Sequence, residues 1–245
     1  MATKRVVDLV FLVDVTGSMS PCIDGLKDSI NKFFAHLTDE EGNKCSIKDW
    51  RAKVVGYRDV DFDKEQWFVD NPFVRTSEEI RDQLQSLVAK GGGDEPESLL
   101  DALLSLADMG ESGIQDGDDP GKWRPRHSAA RAIVVFTDAT YHKEAMLEKY
   151  AGCTYADVAR KIAEQRIILE IVTPVHPADS KVPQADFEKC YEELAMADKA
   201  EYCPLFSEQG EAFPFSEIPR HMDVFQKFVE QLAKTLSATI EPPEL

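Results

Sequence analysis

The stretch Val6-Val7-Asp8-Leu9-Val10-Phe11-Leu12-Val13 runs directly into Asp14-Val15-Thr16-Gly17-Ser18, and Ser20-Pro21 follows. The first part is β-rich and apolar apart from Asp8, as befits a central strand buried on both faces of a parallel sheet. In the second part polar residues alternate at Asp14, Thr16 and Ser18, and Gly17 lets the chain turn tightly between them. Ser20-Pro21 is a cap and first-turn pair that opens a helix. Leu26, Ile30, Phe33, Phe34 and Leu37 then recur at helical spacing. A buried strand, a polar loop and an amphipathic helix are the opening of an α/β sheet domain.

The same alternation continues along the chain. Strands are predicted at 52–57, 132–136, 167–173 and 200–206, with a short edge strand near Trp67–Val69. Between them, helical spacing is carried by Ile80, Leu84, Leu87 and Val88, and then from about Asp94 by Leu99, Leu100, Leu103, Leu104 and Ala107. Further helices are expected at 154–165, at 185–197, and in a final segment through Val224, Phe228, Leu232 and Leu236. Strands alternating with helices build a doubly wound, mostly parallel central sheet with helices on both faces. Residues 110–127 read as a long polar surface loop at the end of the sheet opposite the polar loops. No repeat or composition break divides the chain, so 1–240 is expected to be one domain and 241–245 a frayed tail.

The chain has 245 residues and a formal net charge of −17. Such a surface repels phosphate backbones and anionic lipid, which argues against nucleic acid and membranes as partners. It favours basic proteins and cations. The apolar run at 6–13 is too short and too charged to span a bilayer, and no cleavage site follows it. The five cysteines, Cys22, Cys45, Cys153, Cys190 and Cys203, are odd in number and lack CxxC spacing. They predict reduced thiols and a cytoplasmic location rather than a disulfide framework.

In open α/β sheets ligands collect beyond the C-terminal ends of the strands. Three such loops here are rich in polar groups: 14–18, Gly91-Gly92-Gly93-Asp94-Glu95-Pro96-Glu97-Ser98, and Thr137-Asp138-Ala139-Thr140. A carboxylate with two hydroxyls, joined by Asp138 from another central strand, is a hard-oxygen set suited to Mg²⁺ or Mn²⁺. Capping and turn roles for Asp14 and Ser18 are the alternative reading of the first loop.

These residues carry a family resemblance. Asp14-x-Thr16-x-Ser18 after a buried strand resembles the metal-ion-dependent adhesion site of von Willebrand factor A (VWA) domains. Asp138 matches that motif's late aspartate, and residues 91–97 match its middle loop. Val54-Val55-Gly56-Tyr57-Arg58-Asp59 is similar to the second strand of an intracellular branch found with alpha-kinases and in bacterial signalling clusters. The matches span residues 6 to about 140, in the family's order. The resemblance implies that Thr16 and Ser18 touch the metal and that Asp14 and Asp138 act directly or through water. It also implies a metal-dependent protein-binding role, with a kinase or phosphatase among the candidate partners, and a partner carboxylate that often completes the coordination.

Many VWA domains have threonine in the middle loop where this chain has Asp94. Two readings stand for Asp94: a helix cap, from its capping-box spacing to Glu97, or a third metal-facing carboxylate. The second would make the site a poor acceptor for a carboxylate, so the expected partner offers a neutral oxygen or a basic surface. Arg58, Asp59 and His142 are candidates for the partner-binding rim, with structural roles as the alternative. None of the five histidines has HxxxH spacing. An enzyme is disfavoured, because no P-loop, GxGxxG or GxSxG motif is present. Thr16 also occupies the place where a haloacid-dehalogenase-type phosphotransferase needs its second aspartate. A metal-dependent phosphate-ester hydrolase using the same acidic edge remains the alternative function.

Overall fold

The structure, a computed structural model, describes residues 5–38, 47–91, 95–113, 118–175, 182–196, 199–206, 210 and 212–240. Six strands form one sheet in the order β3-β2-β1-β4-β5-β6. They are β1 (Val6–Asp14), β2 (Asp49–Tyr57), β3 (Phe68–Asp70), β4 (Ala130–Phe136), β5 (Ile167–Thr173) and β6 (Ala200–Pro204). All pairings are parallel except β2 with the short edge strand β3. The predicted α/β class, the doubly wound sheet and the short edge strand are all present, and the structure adds that this edge strand runs antiparallel.

The helices are α1 (Ser20–Leu37), α2 (Val60–Asp63), α3 (Ser77–Ser86), α4 (Leu99–Ala107), α5 (Tyr155–Glu164), α6 (Gln184–Leu194) and α7 (Met222–Thr239). Side chains alternate across each strand, so β1 feeds two cores at once. Leu9, Phe11 and Val13 join the core shared with α1, α3 and α7. Val10 and Leu12 join the core shared with α4, α5 and α6. This two-sided burial is why the central strands read as continuous apolar runs.

Some local expectations change. Helix α4 begins at Leu99, with Ser98 at its N-cap position and no side-chain cap, so it starts later than the spacing suggested. Asp94 and the tail at 241–245 lie outside the described residues. Ser20 is the first residue of α1 rather than its cap, and Pro21 sits in the first turn.

The described parts of the polar stretch, 110–113 and 118–127, lie toward the N-terminal end of the sheet, as expected, but some of their residues are core. Trp123 is fully buried, donates from Nε1 to Leu106 O at 2.8 Å, and packs against Phe73. Arg124 reaches the buried Asp8 carboxylate at 2.6 Å, and Arg51 grips the same carboxylate at 2.9 and 2.8 Å. Asp8, the one charge in the first apolar run, is thus neutralised by two arginines from distant segments.

Candidate metal centre

In this strand order the winding reverses between β1 and β4. That leaves a crevice beyond their C-terminal ends, where open α/β sheets place ligands. The loops that follow β1 and β4 meet there. Asp14 ends β1, and its carboxylate is fully buried. Oδ1 accepts from Thr16 N at 2.9 Å, and Oδ2 accepts from Thr137 Oγ1 at 3.0 Å. From the other loop, Asp138 Oδ1 accepts from Ser18 Oγ at 3.1 Å, and Ser18 Oγ lies 3.4 Å from Thr16 Oγ1. Asp14, Thr16, Ser18 and Asp138 therefore converge, as their sequence positions suggested.

The electrostatics of this cluster are strained. Burial, then the neighbouring Asp138, pushes Asp14 up to about 7, against the hydrogen bonds from Thr16 and Thr137. Among the described residues no lysine or arginine pairs with Asp14. Two groups packed close by feel the same charge. The buried Cys22 thiol is pushed up by burial, Asp138 and Asp14, and the buried Tyr57 hydroxyl is pushed up by burial and Asp14. Two carboxylates brought together out of water favour a cation between them. The donor set is oxygen only, which fits a hard divalent ion such as Mg²⁺ or Mn²⁺.

Neighbouring segments hold the first loop in place. Val15 N donates to Tyr57 O at 3.0 Å, and Lys90 N donates to Val15 O at 3.1 Å. Gly17 N donates to Gly91 O at 3.2 Å, an approach in which a Cβ on Gly17 would lie only 3.4 Å from that carbonyl. The middle loop also pairs with the loop after β4: Thr140 N donates to Glu95 Oε1 at 2.6 Å, and Glu97 N donates to Thr140 O at 2.8 Å. The described ends of the middle loop are thus tied to both neighbouring loops.

Residues 3–204 match the family described as Mediator complex subunit 25 von Willebrand factor type A. The chain belongs to this family of VWA domains. It is 29% identical over 149 residues to the alpha-protein kinase vwkA of Dictyostelium discoideum, covering 60% of this chain but 21% of the kinase. It thus spans about a fifth of that relative. Solved structures share its fold, two of them as follows. Proximal thread matrix protein 1 from the mussel byssus has a TM-score of 0.54 at 16% identity, with 95% of this chain and 49% of that one covered. The pilus adhesin SpaC from Lactobacillus rhamnosus GG has a TM-score of 0.56 at 10% identity, with 98% and 31% covered.

Within this VWA domain the rim candidates behave differently from one another. Arg58 is turned inward and is 3% exposed. Its guanidinium donates to the carbonyls of Val15, Gln66 and Val88 at 3.2, 3.0 and 2.6 Å. It ties three loops together by their backbones, so it does not line an open rim. Asp59 is also buried: Oδ1 caps α2 through Asp61 N at 2.6 Å and Phe62 N at 3.3 Å, while Oδ2 pairs with His142 Nε2. His142 is half-buried, and this contact links the turn after β2 to the loop after β4. Thr137, outside the ligand set expected from the sequence, helps orient Asp14 through its hydroxyl. Its place directly before Asp138 was the available signal. The loop at 174–183 is only partly within the described residues.

Proposed function

We propose that this VWA domain is a metal-dependent protein-binding module, with Asp14, Thr16, Ser18 and Asp138 holding Mg²⁺ or Mn²⁺ at the C-terminal edge of the sheet. One observation carries this reading: two carboxylates from different strands, one fully buried, converge with two hydroxyls at the reversal point of the sheet. When bound, the cation would supply a Lewis-acidic point to which a partner's oxygen attaches. The chain's own part is to present that point on a fixed rim. Thr137 and Thr16 N fix the Asp14 carboxylate, Ser18 bridges to Asp138, and Arg58 and the Asp59–His142 pair hold the surrounding turns.

A protein partner is supported by the rim. Phe62, on α2 beside the capped turn, is 72% exposed, and Val88, whose carbonyl Arg58 holds, is 61% exposed. Exposed apolar side chains beside a polar centre are the usual elements of a protein-docking surface. The net charge of −17 favours a partner that brings a basic surface, or a neutral oxygen for the metal. The relative named an alpha-protein kinase and the family named for a Mediator subunit make larger assemblies, kinases among them, the class to search. Cys22, Cys153, Cys190 and Cys203 are free thiols, in keeping with a reducing intracellular setting. No helix among the described residues is long and apolar enough to cross a membrane.

The test is calorimetric titration of chelator-stripped protein with Mg²⁺ and Mn²⁺, alongside Asp138→Ala. Saturable binding lost in the variant supports the reading, and absence of binding in the parent protein defeats it. Turnover of a generic phosphoester in Mg²⁺, abolished by Asp14→Ala, would replace the binding role with a hydrolytic one.

A further inference from the structure

The sheet carries a second cluster of ligand-type side chains, at its β5–β6 margin. Glu170 lies opposite Glu201 in the parallel pairing of these strands, and Val172 lies opposite Cys203. Glu201 and Cys203 are two positions apart on the edge strand and so share a face. That face is the one where Ile168 and Val172 enter the core beneath α1 and α7. Glu170 is 2% exposed, and its carboxylate Oε2 accepts from Cys203 Sγ at 3.3 Å. One ligand atom from each of Glu170, Glu201 and Cys203 lies within 4.8 Å of the other two.

The state of Glu170 sets it apart from other buried carboxylates of this chain. Asp8 is gripped by two arginines. Asp59 has a histidine and two backbone amides. Asp101 accepts from the amides of Met146 and Leu147. Glu170 has neither a base nor an amide: among the described residues, the Cys203 thiol, a weak donor, is its sole side-chain hydrogen-bond partner. Burial and the adjacent Glu201 push Glu170 up to about 7, with the thiol pulling the other way. Burial and Glu170 together push the Cys203 thiol up. A carboxyl placed in a core without a counter-charge is costly, and a cation removes that cost.

We propose that Glu170, Glu201 and Cys203 form a binding site for a borderline-soft divalent cation of the Zn²⁺ class. One sulfur and two carboxylate oxygens are a donor set that Zn²⁺ accepts and Mg²⁺ does not favour. This separates the site chemically from the all-oxygen centre at the strand ends. On binding, Cys203 gives its proton to solvent and coordinates as thiolate, and Glu170 gives up its proton wherever it is protonated. The cation with one thiolate and two carboxylates then carries a net charge of −1. Three protein ligands leave a coordination position for water or a further donor. Glu201 is exposed and Cys203 half-buried, which leaves a way in from solvent. The bound ion would staple the edge strand β6 to β5, and because the folded chain alone assembles the ligands, the metal would stabilise the fold.

The experiment uses the full chain, stripped with chelator and held in reductant with excess Mg²⁺ so that the first centre is occupied. It is titrated with Co²⁺ while absorbance is followed, and Zn²⁺ is then added as competitor. The expected result is one equivalent of Co²⁺ showing thiolate-to-cobalt charge-transfer absorption, displaced by Zn²⁺. That band should vanish in Cys203→Ser, and affinity should fall roughly tenfold or more in Glu170→Gln and Glu201→Gln. Circular dichroism of each metal-free variant checks its fold. Glu201→Gln changes an exposed side chain, so it decides the matter even if a buried substitution unfolds. No thiolate band in the parent protein, a band that survives Cys203→Ser, or unchanged affinity in a folded Glu201→Gln would each overturn the proposal.

Discussion

The Ser18 hydroxyl donates a 3.1 Å hydrogen bond to Oδ1 of Asp138, joining loops 120 residues apart in sequence. This bond spans the crevice between β1 and β4 and brings the two acidic loops into register with each other. Asp138 also helps push Asp14 up to about 7. The metal-free site therefore stores repulsion that a cation would relieve.

Removing that repulsion should change stability in opposite directions with and without metal. In chelator, Asp138→Ala should melt at or above the temperature of the parent protein, because Asp14 loses a like-charged neighbour. In Mg²⁺ the order should reverse. A ligand at a hundred times its dissociation constant adds about 2.7 kcal/mol to the parent, and the variant gains nothing. Melts of both proteins in the two buffers provide the check. A variant less stable than the parent by the same margin in each buffer would count against a metal role for Asp138.

The cluster at the other end of the sheet should behave as pure structure. Asp8→Ala leaves Arg51 and Arg124 buried without their shared carboxylate, a change expected to cost about 3–5 kcal/mol. Denaturant unfolding measures it. Mg²⁺ affinity of the folded fraction should stay at the parent value, since Asp8 lies near the N-terminal end of the strand that Asp14 ends.

Lys53 is fully buried, with its ammonium 2.5 Å from Asp70 Oδ1 and over the Phe73 ring. Burial lowers its pKa below 10.5, against the pull of Asp70. In the alkaline window between the folded value and 10.5 the unfolded chain holds the proton and the folded chain does not. Stability linked to this lysine is therefore present above 10.5 and lost as pH falls through the folded value. Lys53→Met should erase that pH dependence and cost little. Asp70→Asn strips the ammonium of its partner and should cost about 3 kcal/mol at pH 7. Urea midpoints from pH 7 upward test both variants.

The Asp59–His142 pair predicts an order of effects. Asp59→Ala removes the cap of α2 as well as the contact with His142, and should cost about 1–2 kcal/mol. His142→Ala leaves both backbone bonds to Asp59 Oδ1 intact, at 2.6 and 3.3 Å, and should cost less. Hydrogen exchange at residues 60–63 should rise strongly in the first variant and weakly in the second. Equal protection in the two would mean that the histidine, not the cap, secures the turn.

Much of the fold was legible because its causes are local. Two-sided burial of β1 and β4 leaves continuous apolar runs, and amphipathic spacing marks α1 and α7. The start of α4 is not legible locally, because Leu99 and its successors announce the helix body, whereas Glu97 and Ser98 are engaged with Thr140, His142 and Val60 from other segments. The buried part of the 110–127 stretch is hidden in the sequence for a related reason. Trp123 and Arg124 sit among glycines, prolines and charges, and their burial depends on Asp8, Arg51 and Phe73.

The sequence by itself determined the class of fold and the family, and it placed Asp14, Thr16, Ser18 and Asp138 in the loops that follow two buried strands, because alternation of hydrophobicity and the Asp14-x-Thr16-x-Ser18 spacing are properties of contiguous segments. Tertiary structure alone decided that Arg58 faces inward, that Thr137 orients Asp14, that His142 pairs with Asp59, and that Glu170 meets Cys203. Each of these depends on the register of neighbouring strands or on the path of a loop. Those are set by packing between distant parts of the chain, and local pattern carries no record of them.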